Sequence, residues 1–530
     1  MRHSTTKLLP LALVLQCLVG CSAGSHPPSI LAPDELAFVR GGALTSPTSE
    51  GQVLGRYSLH SLDWSSGNST THAGRTGLAP QQPECLPVYS VDLGDVSQLV
   101  ALGGTSPDTA LAWSPDGKLL AIGSYLGEVL VIDGWTGQVR SRRRLAESMI
   151  KQVAWSPSGD TLYAGEQSPD AFVHALDPQT LQTVWTQRLA DEVGSSPAPD
   201  KQDLYGIYTL PSASDLEVLP DGHLLVGATH AWNDSSGTRR NLARLLRFDS
   251  DGSLIAAWPS EGPAPVTLSR FRTDLKGGLL AVSVGGSSKE NVSDLIPRGG
   301  IQVLDIDQLK PRASFLPTPL APYYKSTFIW EALDVDGTSG KVLAGLADGR
   351  VFLWDLNGAD EVVLQVGTPR LAADVPITTS VGFGFFTDGG FVIATSGTSI
   401  PYGSSSTAAR PPSAHPAENR LFHYSLDKTL LGTWAGPQQL NGLHPGPDGR
   451  SLLAGAGSRN SDIREDAFGV LIFEEDEGVP LRRSPLFCPT EGPVFFELTA
   501  TSDGRVAVTE HPWVQPDGSQ TGAYRVTVVR

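Results

Sequence analysis

The chain has 530 residues, 40% of them hydrophobic, with 39 basic against 56 acidic side chains for a formal charge of -17. That acidic balance disfavours nucleic acid and anionic membrane surfaces as partners, since both are bound through clustered Lys and Arg. The apolar supply suffices for a large core, and because the length alone fits two or three domains, internal repeats decide the domain count.

Arg2 and Lys7 precede an apolar run from Leu8 to Val19 that is too short to cross a bilayer as a helix, the pattern of an export signal. The run closes on Leu18, Val19, Gly20 and Cys21. This tetrad resembles the lipobox of bacterial lipoproteins. The resemblance implies a diacylglyceryl thioether on Cys21, cleavage before it and acylation of the new N-terminus, and several acyl chains anchor a protein that one chain would hold only marginally. Ser22 after the cysteine points, in the enterobacterial sorting pattern, to the outer membrane. The expected division is a signal over 1–20, a lipidated N-terminus and spacer over 21–84, and repeats over 85–530.

Residues 22–84 are rich in Ser, Thr, Gly, Pro and His, as in SSGNSTTHAGRTG, and read mostly as a flexible spacer. Leu36 to Arg40 and Gln52 to Leu62 have strand character, so a hairpin packed on the main body or a decayed repeat is the second reading there.

From residue 110 a strand-forming unit begins. In ALAWSPDGKLLAIGSYLGEVLVIDGWTGQVR, Leu111 and Trp113 lead into the turn Ser114, Pro115, Asp116, Gly117, where Pro presets φ and Gly supplies a conformation other residues resist. Leu119 to Ile122 and Val129 to Asp133 read as the next strands, and Gln138 to Arg144 as a polar outer fourth. Arg140, Arg142, Arg143 and Arg144 there are read as blunting an exposed edge. Equivalent turns follow at Gly159, Gly222, Gly277, Gly337, Gly389, Gly449 and Gly504, which makes eight, at intervals of 42 to 63 residues. Four short strands cannot cover their own apolar faces, so each unit needs copies of itself as neighbours.

Seven of the eight repeats continue into a fourth strand, and the last reaches only Arg530. PVYSVDLG at 87–94 stands ahead of the first complete repeat and is expected to fill the vacancy, with Tyr89 beside the strand Tyr524 to Val529. Such closure leaves only short, protected edges. The units AWSPDGKLLAIGSYLGEVLVIDGWTGQ and VAWSPSGDTLYAGEQSPDAFVHALDPQTLQ, and VLAGLADGRVFLWDL with its Trp354, Asp355 pair, resemble WD40-type or TolB-like propeller repeats. The resemblance implies an all-β, eight-bladed β-propeller of four-stranded antiparallel blades, used as a binding platform; merging two repeats gives seven blades as the alternative.

The tight turns and the third-to-fourth connections belong to one face of such a disc. Growth falls on the other, in the loops Trp232 to Asn241, Gly285 to Gly300, Ser396 to Arg420, Gly457 to Phe468 and His511 to Gly522, and in the crossings Ala190 to Asp215 and Leu316 to Phe328. Loops on a rigid scaffold commonly carry function. Tyr205, Tyr208, Trp232, Tyr323, Tyr324, Tyr402 and Trp513 lie in or beside them, as interface anchors or as rings that pin the loops.

Signals for chemistry are sparse. The Gly-x-Ser-x-Gly match at Gly20 to Gly24 lies across the lipobox without a strand and helix around it. Asp249, Asp251, Gly252 and Asp334, Asp336, Gly337 open like calcium loops but lack the later Glu and are read as turns. Glu474 to Glu477 reads as a solvated corner, and His174 and His423 as strand residues rather than ligands. No metal or other cofactor is expected. Glu217, Glu331 and Glu497 fall on innermost strands, where carboxylates from distant blades could meet in a channel.

Cys17 leaves with the signal and Cys21 takes lipid, so Cys85 and Cys488 remain, a pair usually bonded in an oxidising compartment. Topology argues the other way: Cys85 is expected on the short-turn face and Cys488 on the long-loop face, whereas bonded Cα atoms approach within about 7 Å. Both readings stand on the sequence. The functional expectation is a lipid-anchored envelope protein that recognises another envelope protein or a polymer without catalysis, with a channel-centred hydrolase or lactonase as the alternative.

Overall fold

The computed structural model describes residues 85–530 apart from 97–109, 198–208, 286–298, 318–328, 400–414, 447–450, 458–467, 475–480, 515–519 and a few shorter stretches of one or two residues. The export signal, Cys21 and the spacer with its strand-like stretches at 36–40 and 52–62 lie outside the described residues.

Apolar runs form strands that are buried on both faces. In the first repeat Leu119–Gly123 and Glu128–Asp133 are almost continuously buried, while the outer Val139–Arg144 is mostly exposed. A strand sandwiched between two sheets needs apolar residues on both sides, which explains why these segments do not alternate. Antiparallel pairing groups the strands into eight sets of four, called blades 1 to 8 here. Blade 1 runs from Ala110–Trp113 to Val139–Arg144, blade 2 from Met149–Trp155 to Thr183–Arg188, and blade 3 from Ser212–Val218 to Leu254–Trp258. Blade 4 spans Thr267–Asp274 to Pro311–Phe315, blade 5 Ile329–Asp336 to Glu361–Gln365, blade 6 Val375–Thr387 to Leu430–Ala435, and blade 7 Gln439–Pro445 to Leu486–Pro489. Blade 8 holds Val494–Ala500, Val506–Glu510 and Arg525–Val529, and its fourth strand is Pro87–Asp92 from the other end of the chain.

Among the described residues the core is a ring of large apolar clusters, one between each pair of neighbouring blades, with a small further cluster of Met149 and Leu210. The cluster between blades 8 and 1 closes the circle: Leu111, Leu120 and Ile132 of blade 1 pack on Ala507, Val526 and Val528 of blade 8. The protein is therefore an all-β propeller. Tyr89 pairs with Val528, as the sequence predicts, and Ser90 Oγ meets Thr527 Oγ1 at 2.8 Å across 437 residues of chain.

Two side chains weld that seam from the turn face. Arg505 is 1% exposed and donates to the carbonyls of Gly134 at 2.6 Å and Gly117 at 2.7 Å, both in blade 1, while Asp503 accepts from its Nε and Nη2. Its guanidinium lies 3.8 Å from the Trp135 ring centroid and 4.9 Å from that of Trp113. The Tyr89 hydroxyl donates to the same Gly134 carbonyl at 3.1 Å.

Four expectations need correction. Cys85 and Cys488 are bonded with Cα atoms 5.0 Å apart, linking the start of the closing strand to the outer strand of blade 7. The topological objection fails because sheets twist. Adjacent strands rotate by roughly 20 to 25° on average, and over four strands that twist is enough that an assignment to faces made at the channel need not carry to the rim. The segment Trp232 to Asn241 is no open loop: Leu224–Asn233 and Arg239–Phe248 stay paired to the tip, leaving a turn at Asp234 to Thr238. Asp334 lies on the innermost strand of blade 5 rather than in a turn. In blades 4 and 5 the left-handed turn position passes from Gly277 and Gly337 to Gly278 and Gly340, with φ of 65° and 69°. Gly277 and Gly337 are needed instead because the two turns touch: a Cβ on Gly277 would lie 3.0 Å from the Gly337 Cα.

Candidate functional site

The innermost strands bring four charged side chains together across the channel. Arg270 of blade 4 reaches Glu497 of blade 8 at 2.9 Å, Glu331 of blade 5 at 3.4 Å and Asp215 of blade 3 at 3.4 Å. Asp215 also accepts from the Phe271 N–H at 3.0 Å and the Leu216 N–H at 3.1 Å. Enclosure pulls the Arg270 pKa down, but Glu331, Asp215 and Glu497 more than reverse this and hold it well above the ordinary arginine value. Its side chain keeps 22% exposure, so channel water still reaches the group.

A second layer lies toward the turns. Glu217 accepts from Thr273 Oγ1 at 2.5 Å, and burial raises its pKa. Asp334 accepts from the N–H groups of Phe386 at 2.8 Å and Val335 at 2.9 Å, and burial pushes it up to about 6 against those bonds and the charge of Arg272. Asp215 and Asp334 play the same structural part, each stapling its own blade to the next through a backbone N–H.

Two of the three sequence-predicted carboxylates, Glu331 and Glu497, therefore converge, and Glu217 sits one layer away. The place between the converging pair, where a substrate or metal would have to bind, is filled by Arg270. Among the described residues no group of three His, Cys, Asp or Glu has the arrangement of a metal site. Arg270 and Asp215 were the residues sequence reasoning missed: Asp215 and Glu497 each stand seven residues ahead of the turn glycines Gly222 and Gly504, whereas Arg270 stands eight ahead of the blade 4 turn glycine, Gly278.

The long-loop face is built differently. Of the seven aromatic residues expected there, Tyr205, Tyr208, Tyr323, Tyr324 and Tyr402 lie outside the described residues. Trp513 is described through its backbone, in a two-residue ladder with Gln520–Thr521. Trp232 is half-buried near the tip of the long blade 3 hairpin, stacked on His230 with ring centroids 4.2 Å apart. His230 is 1% exposed, and its Nδ1 faces the Val193 carbonyl at 3.0 Å while its Nε2 faces Ser196 Oγ at 2.7 Å. Burial lowers the His230 pKa, and the charge of Arg239 acts in the same direction.

The segment holding Val193 and Ser196 is the crossing from blade 2, which begins with the one-turn helix Ala190–Val193. It is fixed to the hairpin by Arg244, which pairs with Glu192 and donates to the carbonyls of Pro259 at 3.0 Å and Ser260 at 2.7 Å. At the hairpin tip Asp234 accepts from the N–H groups of Ser236 and Thr238 and from Arg240 Nε at 2.9 Å, so the extension is held in shape.

On the blade 1 rim the arginines are paired as edge residues should be: Arg140 with Asp133, Arg142 with Glu128, Arg144 with Glu147, and Arg143 with the Leu181 carbonyl. His174 is a strand residue bonded to Glu166 at 2.7 Å, and His423 lies buried on the third strand of blade 6.

Residues 98–158, which include blade 1 and the innermost strand of blade 2, match the family described as the anaphase-promoting complex subunit 4 WD40 domain. The chain is similar to the solved C-terminal WD40 domain of Sif2, at 12% identity and a TM-score of 0.48, with 84% of this chain and 98% of that one covered. No curated protein matches it.

Proposed function

We propose that this chain is an envelope lipoprotein whose propeller is a recognition or scaffold module for another envelope protein or a polymer, held near the membrane by lipid on Cys21. The observation that carries the recognition reading is the contrast between the two regions just described. The channel is filled by an arginine and its carboxylates, whereas the long-loop face bears an ordered projection formed by the blade 3 hairpin and the blade 2 crossing. A rigid ring that presents elaborated loops on one side suits binding, and the match of residues 98–158 to a WD40 domain supports the same reading.

The anchor rests on the signal and the Leu18 to Cys21 tetrad. Its test is metabolic labelling with a fatty acid in the source bacterium, where incorporation is expected for the natural chain and not for Cys21→Ala. Recognition is tested by crosslinking in intact envelopes followed by capture of the propeller. A discrete partner is expected, and its yield should fall for Trp232→Ala while the fold is kept. Capture that gives no discrete partner, or the same partner with Trp232→Ala at unchanged yield, counts against this face.

A further inference from the structure

The blade 3 hairpin and the blade 2 crossing meet at Ser196 and His230, and that meeting has the form of an activated nucleophile. We propose that Ser196 is a nucleophile served by His230 as general base, giving the long-loop face a site for carboxylic esters beside Trp232.

The geometry meets the requirements for such a pair. Nucleophile and base lie within hydrogen-bond reach, at 2.7 Å, and a third group orients the base. Here the third group is the Val193 carbonyl, 3.0 Å from Nδ1; in the tautomer that donates Nδ1–H to it, the Nε2 lone pair faces the serine hydroxyl. The backbone of Thr209 and the Val193 carbonyl both favour a proton on the ring, but burial outweighs them and keeps the imidazole neutral, the form that can accept a proton. Trp232 covers one face of the imidazole at 4.2 Å and fixes its plane. The half-buried indole also offers an apolar surface for the acyl or alcohol part of a ligand.

In the reaction the Ser196 Oγ–H proton passes to His230 Nε2 as Oγ bonds to the ester carbonyl carbon. The carbon–oxygen bond to the alcohol then breaks, and the same proton leaves with the alcohol. Water, the co-reactant, gives a proton to Nε2 and adds its oxygen to the acyl carbon, and the carboxylic acid departs as Oγ recovers its proton. This goes beyond recognition and holds whichever partner the face binds.

The probe is an alkyl fluorophosphonate, which loses fluoride as it phosphonylates an activated serine, applied to the full chain and read by peptide mass. The expected result is an adduct on Ser196 that is absent in Ser196→Ala. Its rate should rise with pH to a plateau below the ordinary histidine range and fall by roughly 10²-fold in His230→Gln. Should that variant not fold, the pH profile of the natural chain decides alone. No adduct on Ser196, or an adduct whose rate shows no imidazole titration, overturns the proposal and leaves Ser196 as a pin for the blade 2 crossing.

Discussion

Arg270 shows how one side chain can settle a question that spacing leaves open. Its three carboxylate partners come from blades 3, 5 and 8, so it ties opposite sides of the ring as well as neighbours. Arg270→Met would leave these carboxylates facing one another in a narrow channel. Breaking such a group at one partner is strongly unfavourable, and we expect a loss of ~3 kcal/mol in denaturant titration, shrinking in acid as the carboxylates take up protons. Asp334 gives a separate pH signature. Its folded pKa is raised to about 6 from the ordinary 3.8, so the native state binds a proton that the unfolded chain releases. The stability from this group is present below about pH 4, declines as pH rises through 6 and is gone above it. Compared with Asp334→Asn, the natural chain should lose roughly 2 to 3 kcal/mol of relative stability from pH 4 to 7, and a flat difference curve would refute the raised value. Of the acidic partners of Arg270, Glu331 and Glu497 were legible on inner strands and Asp215 was not. The arginine among them was not, because its partners come from three other blades and only closure of the ring brings them to it.

At the scale of elements, the turns separate two uses of glycine that look alike in a sequence. Gly222 has φ of 84° and nothing within 4 Å of the place an added methyl would occupy, so its glycine is conformational alone. Gly277 has an ordinary φ, but an added methyl would lie 2.3 Å from Asp274 Oδ2, which accepts the Gly337 N–H at 2.7 Å. Gly222→Ala should cost ~1 to 2 kcal/mol from left-handed strain, and Gly222→Asn less, since Asn tolerates that conformation. Gly277→Ala should cost ~1 to 3 kcal/mol by crowding, with Asn giving no relief. Melting curves of the four variants test the distinction. The four-stranded antiparallel repeat could be read from the turns because Gly and Pro chemistry is local. The long hairpin of blade 3 could not, since Asn233, Asp234, Ser235, Ser236 and Gly237 signal a turn without saying how far the flanking strands remain paired. The pairing of Ser196 with His230 was equally hidden, because 34 residues and a blade boundary separate them.

For the whole molecule, everything depends on a strand that joins residues more than four hundred apart. The closing strand was legible because the last repeat lacked a member and one candidate stood unassigned, an argument from counting that needs no contact energies. The disulfide was undecidable by the same route, since it depends on how far twist carries the rim strands around. Cys85 is 6% exposed and Cys488 is fully buried, both within the apolar cluster between blades 7 and 8, so the bond locks the closing strand from inside the packed seam. Removing it in Cys488→Ser should lower stability by about 2 to 5 kcal/mol. The qualitative consequence is more telling. When Pro87–Asp92 detaches, the edge of Arg525–Val529 is bared, and an unpaired apolar edge recruits a strand from another chain. An identical chain offers the same Pro87–Asp92 segment, which makes strand exchange the cheapest repair. The variant should form concentration-dependent dimers by size exclusion, and hydrogen exchange at residues 525–529 should be fast in its monomer and slow in its dimer. If the Cys488→Ser monomer keeps slow exchange there and does not dimerise, the ring is held shut by Arg505, Tyr89 and the blade 8 to blade 1 core without help from the bond.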